Sequence, residues 1–109
     1  MTPLLIRFDD TVAPAVLHVG GELDIATAPQ LRSALTAAMG DGRVVQIDFA
    51  ELDFIDAAGM RALLEAAEGL NGSGPLTIVN GERVARLLAL VGLSGVPSLD
   101  LREEGAVHG

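Results

Sequence analysis

The sequence predicts one α/β domain: a mixed sheet of four to five strands that opens on an N-terminal hairpin and carries about three to four helices, in the order β-β-α-β-α-β-α-β. Three observations carry that expectation. Two apolar runs at strand period lie close together at the start, stretches of helical period then alternate with short β-rich runs, and 109 residues suffice for one core but not two. The single domain is expected over 1–109, with an ordered core over about 3–101 and a polar, frayed tail over 102–109.

In the first strand Leu4, Ile6 and Phe8 share a face, and Asp9-Asp10-Thr11 supplies a turn. A second strand follows over about Ala15 to Val19, close enough for an antiparallel hairpin, and Gly20-Gly21 loosens the backbone before Glu22-Leu23-Asp24. Thr27-Ala28-Pro29-Gln30 has capping-box spacing, so a helix should start there with the Thr27 hydroxyl accepting the Gln30 N–H. Leu31, Ala34, Leu35 and Ala38 form its apolar stripe and Gly40 its stop.

Arg43 to Phe49 reads as a strand in which Val45, Ile47 and Phe49 alternate with Val44, Gln46 and Asp48. An acidic turn leads to Asp56, placed to cap a second helix through the Gly59 N–H, with Met60, Leu63, Leu64 and Ala67 facing the core. Asn71-Gly72-Ser73-Gly74-Pro75 ends that helix. Leu76 to Val79 is a short strand, and Val84, Leu87, Leu88 and Val91 give a third helix its apolar face before Gly92. A last strand is expected over Ser98 to Leu101.

Composition removes several classes of function. Half of the residues are hydrophobic, but the apolar runs are short and interrupted, and no basic stretch leads into one at the start; neither a signal peptide nor direct membrane insertion is expected. The absence of cysteine excludes disulfides and thiolate chemistry and fits a cytoplasmic location. A net charge of −8, with only Phe8, Phe49 and Phe54 as aromatics, speaks against nucleic acid. All seven basic residues are Arg, which leaves no phosphate-loop or Schiff-base lysine.

His18 and His108 have no evident nucleophile or co-ligand, and Ser33, Ser73, Ser94, Ser98, Thr36 and Thr77 read as caps or surface residues, so no catalytic residue and no cofactor are expected. The carboxylates of Glu22, Asp24, Asp48, Glu51, Asp53 and Asp56 could converge on magnesium, as strand-end carboxylates do in phosphate-handling enzymes, but such sites also use a lysine; no metal is expected. Arg83 and Arg86, beside Glu82, read as a solvated helix face.

Gly21-Glu22-Leu23-Asp24 with the helix after it, Ile47 to Leu64 around Asp56-Ala57-Ala58-Gly59, and Leu76 to Gly92 together resemble the STAS domain family, more narrowly its stand-alone anti-sigma factor antagonists. In that family an Asp-Ser-Ser-Gly or Asp-Ser-Ala-Gly turn carries a Ser phosphorylated by a kinase that is also the anti-sigma factor. The matching position here is Ala57, which cannot accept phosphate, whether natively or through an engineered Ser-to-Ala change. The resemblance implies a non-enzymatic module that binds an anti-sigma factor, a serine-protein kinase of the histidine-kinase-like ATPase type, and so releases a sigma factor. The implied partner surface is Glu22, Asp24, Thr27, Asp56, Ala57, Ala58, Gly59 and Met60. The other reading the resemblance leaves open is a cytoplasmic STAS subunit of a lipid or anion transporter, with the transporter ATPase as partner.

Overall fold

A nine-residue strand, β2 (Ala15–Leu23), organises the computed structural model, which describes residues 3–39, 45–69, 76–92 and 99–102. It pairs antiparallel with β1 (Leu5–Asp9), Arg7 opposite His18, and this is the predicted hairpin. On its other edge β2 pairs parallel twice. Ala15 to His18 run beside β3 (Val45–Asp48), and Gly21 to Leu23 run beside β4 (Leu52–Ile55), with a register shift between Gly21 and Glu22. Parallel pairing then continues from β3 to β5 (Leu76–Val79) and from β5 to β6 (Leu99–Arg102).

Three helices, α1 (Ala28–Ala38), α2 (Ala57–Glu68) and α3 (Glu82–Leu90), follow β2, β4 and β5 among the described residues. Their apolar stripes meet the sheet in one core. Leu31 and Leu35 of α1, Leu63 of α2 and Val84 and Leu88 of α3 pack into one cluster with Leu17, Val19, Ile47 and Ile78 of the strands. No polar or charged side chain is buried among the described residues, so the core rests on apolar burial rather than internal ion pairs.

Four local expectations are corrected. Gly20-Gly21 does not end the second strand: Gly21 holds φ +85, and a Cβ there would fall 1.9 Å from the Pro3 carbonyl oxygen, so the glycine lets the strand pass close beneath the N-terminal segment. The stretch read as an acidic turn contains β4, which gives the sheet six strands among the described residues rather than four to five; Leu52 and Ile55 are buried while Asp53 and Phe54 face outward. Arg102, assigned to the tail, closes β6 instead. Val91 lies just beyond α3 and is 49% exposed, so it does not belong to that helix's buried face. Gly40, Asn71 to Pro75, and the tail from 103 onward lie outside the described residues.

Candidate functional site

The C-terminal end of β2 and the starts of α1 and α2 form one surface because the Leu23 carbonyl accepts the Asp56 N–H at 3.3 Å. Asp56 is extended, with φ −109 and ψ −178, and its Oδ1 accepts the Gly59 N–H at 2.8 Å, the predicted N-cap. Its own carbonyl accepts the Met60 N–H at 2.9 Å, which starts the helical ladder. Gly59 is the seat of the turn. A Cβ there would stand 2.3 Å from the Leu23 carbonyl oxygen, so only a residue without a side chain lets α2 begin this close to β2.

This geometry sorts the turn residues by access. Ala57 is exposed at the first position of α2, Ala58 is half-buried, and Gly59 and Met60 are buried. Gly59 and Met60 therefore support the turn from beneath, and Ala57 is its exposed residue. A side chain at position 57 projects beside free N–H groups at a helix N-terminus, the electropositive end of the helix dipole.

The α1 side is locked differently. Thr27 is the N-cap by position, but its hydroxyl makes no capping bond to the helix. It donates to the Glu22 carbonyl at 2.9 Å and accepts the Asp24 N–H at 3.0 Å. The expected capping box is overturned on both sides, because the Gln30 amide instead donates to the Leu4 carbonyl at 3.1 Å. Asp24 takes over the turn: its Oδ1 accepts the N–H groups of Ala26 and Thr27 at 2.9 and 3.0 Å. One carboxylate oxygen of Asp24 is thus committed to the loop, while the half-buried Glu22 side chain sits next to the bulge in β2.

Between the two helix starts lies a hollow of about 440 Å³, floored by Ala28, Ala57, Ala58 and Ala62 and rimmed by Ile25, Arg32, Arg61 and Glu65. Ile25 is 76% exposed at its mouth. Arg32 and Glu65 approach to 3.8 Å across it, a solvent-exposed pair of small energetic weight. Sequence reasoning missed Ile25 and Arg61. The spacing that reveals Arg61 is simple: it is four residues after Ala57 and so one helical turn along the same face.

The remaining carboxylates do not join this surface into a metal site; no group of three or more His, Asp or Glu side chains placed to hold an ion occurs among the described residues. Asp48 instead accepts from the Ala50 N–H and the Asn80 amide, both at 2.9 Å, and its other oxygen lies 3.1 Å from His18 Nδ1 across the β2–β3 register. This ties three segments together. It gives His18 a structural partner that spacing alone did not reveal. No helix among the described residues is long and apolar enough to cross a membrane.

The family model for the STAS domain described as Mlab matches residues 6–103. An anti-sigma-B factor antagonist of Staphylococcus aureus is 31% identical over 80 residues, covering 71% of this chain and 74% of that protein. One from Listeria monocytogenes is 29% identical over 96 residues, covering 85% and 83%. The crystal structure of an anti-sigma factor antagonist from Mycobacterium paratuberculosis superposes with a TM-score of 0.67 at 26% identity, covering 98% of this chain and 88% of that one. The match over residues 6–103 makes this a STAS domain, a binding module rather than an enzyme. Within that class the chain belongs to the anti-sigma factor antagonist family.

Proposed function

We propose that this protein binds an anti-sigma factor of the histidine-kinase-like ATPase type, in the cytoplasm, through the surface formed by the first turn of α2 and the Asp24 loop, and that the surface is fixed in its unmodified charge state. The observation that carries this reading is the exposure of Ala57 at the start of a helix capped by Asp56, in a chain of the antagonist family. A phosphate at that position would add nearly two negative charges beside Asp56. Like charges pressed together at an interface cost several kcal/mol, enough to change partner occupancy by orders of magnitude. With methyl groups at 57 and 58 that repulsion cannot be switched on there, and the partner stays bound as long as it is present.

The test is incubation with the cognate kinase and ATP. The unaltered chain stays unlabelled, whereas Ala57→Ser takes up one phosphate and then loses affinity for the same kinase. Stoichiometric labelling of the unaltered chain would overturn the fixed-state reading. Affinity capture from cytosol and from membranes separates the partner classes: a soluble ATPase-like kinase supports the proposal, and a transporter ATPase replaces it with the subunit reading, which the missing hydroxyls also suit.

A further inference from the structure

A second face of the molecule, built from α3 and β4, adjoins the α2 side of the surface described above. Arg83, Arg86, Leu87 and Leu90 recur at three- and four-residue intervals and share one side of α3. Leu90 is 78% exposed and Phe54 on β4 is 47% exposed, whereas Val84 and Leu88 of α3 and Leu52 and Ile55 of β4 are buried. Two hollows flank the half-buried Leu87. One, of about 180 Å³, lies between Phe54 and the Arg83, Arg86 and Leu90 side of α3. The other, of about 210 Å³, lies between α2 and α3 and is lined by Ala57, Met60, Arg61, Leu64 and Val91.

The charge around these hollows is opposite to that of the protein as a whole. The chain carries −8, yet Arg61, Arg83 and Arg86 all border this apolar strip, and none of the three makes an ion pair or hydrogen bond among the described residues. Arg32 and Arg102, by contrast, each face a carboxylate. Exposed apolar groups ringed by unpaired cations fit a ligand that is apolar along its centre and acidic at its edges.

We propose that the α3–β4 face docks an acidic amphipathic helix of a partner protein, one apolar side chain entering the hollow on each side of Leu87 and its flanking carboxylates meeting Arg83, Arg86 and Arg61. Concave hollows suit side chains better than a bilayer surface. The net charge of −8 also disfavours an anionic membrane. The second hollow shares Ala57, Met60 and Arg61 with the surface proposed above, but Arg83 and Arg86, which the test alters, lie outside that surface, so the two readings fail separately.

The probe is a synthetic amphipathic helix with Leu at helical spacing and Glu on both flanks, titrated into isotope-labelled protein and followed by amide shifts. Shifts confined to the residues lining the two hollows, from Phe54 and the Met60 to Leu64 side of α2 to Arg83, Arg86, Leu87, Leu90 and Val91, are expected, with affinity falling about tenfold in Arg83→Glu/Arg86→Glu and falling again as salt is raised. Both arginines are exposed, and an unchanged circular dichroism spectrum shows that the double variant is folded. Absence of shifts on this face, equal binding of a version with Lys in place of Glu, or binding of phosphatidylglycerol vesicles at the same residues would each overturn the proposal.

Discussion

Helices α1 and α2 both start at the C-terminal end of β2, yet their first turns are secured in opposite ways. At α2 one carboxylate, Asp56, caps the helix it precedes, and the contact is complete within four residues. At α1 the carboxylate of Asp24 and the hydroxyl of Thr27 hold the loop to itself and to the Glu22 carbonyl, while the helix start receives no side-chain cap. The α2 turn therefore leaves its first residue open to a partner or a modifying enzyme. The α1 turn spends its polar groups on shape. A recognition surface assembled from both has one rigid wall and one addressable position.

The largest effect that could break this comparison is at Gly59. Replacing it with Ala puts a methyl group against the Leu23 carbonyl, and a loss of about 3 kcal/mol in urea unfolding is expected. A Gly59→Ala protein as stable as the parent would mean that α2 does not rest so closely on β2. Next come the two carboxylates, compared directly. Asp24→Ala strips two backbone N–H groups of their acceptor and is expected to cost about 2 kcal/mol. Asp56→Ala removes one cap and should cost about 1 kcal/mol. The reverse ranking would show that the α2 cap, not the Asp24 loop, is the stronger lock.

The smallest expected effect sits at the far end of the hairpin and acts as a control. The hydroxyl and N–H of Thr11 both donate to Asp9, which holds that carboxyl below its ordinary value of 3.8. Because these donors favour the charged form, their contribution to stability is present above 3.8 and is lost as pH falls through the lower folded-state value. In Thr11→Val the Asp9 carboxyl should titrate closer to 3.8 by NMR, with no change in shifts around Asp56. A change at Asp56 would show that the two ends of β2 are coupled.

The same contrast explains what the sequence made legible. The Asp56 cap could be read directly because donor and acceptor are three residues apart and no distant group competes for them. The Thr27 box has the same local spacing, but the Glu22 carbonyl and the Asp24 N–H take its hydroxyl, and Leu4, distant in sequence, takes the Gln30 amide. Strand β4 escaped notice because its four residues are buried only at Leu52 and Ile55, a pattern without strand alternation, and because its partner is a length of β2 that the two glycines seemed to cut off. Hairpin, crossover helices and most of the core stripes followed from periodicity and turn residues, with Val91 the exception. The hollow between α1 and α2 did not, since it is a product of how two helices sit side by side.

Gly21 carries one more consequence. With the Pro3 carbonyl occupying the space where its side chain would be, and Leu5 opposite Gly20, the beginning of β1 is clamped to the same end of β2 that leads into Glu22 and Asp24. A purification tag or fused protein joined ahead of Pro3 would emerge next to the edge proposed above as the partner surface and would compete sterically with a partner docked there. Binding measurements on such fusions should read weaker than on the bare chain.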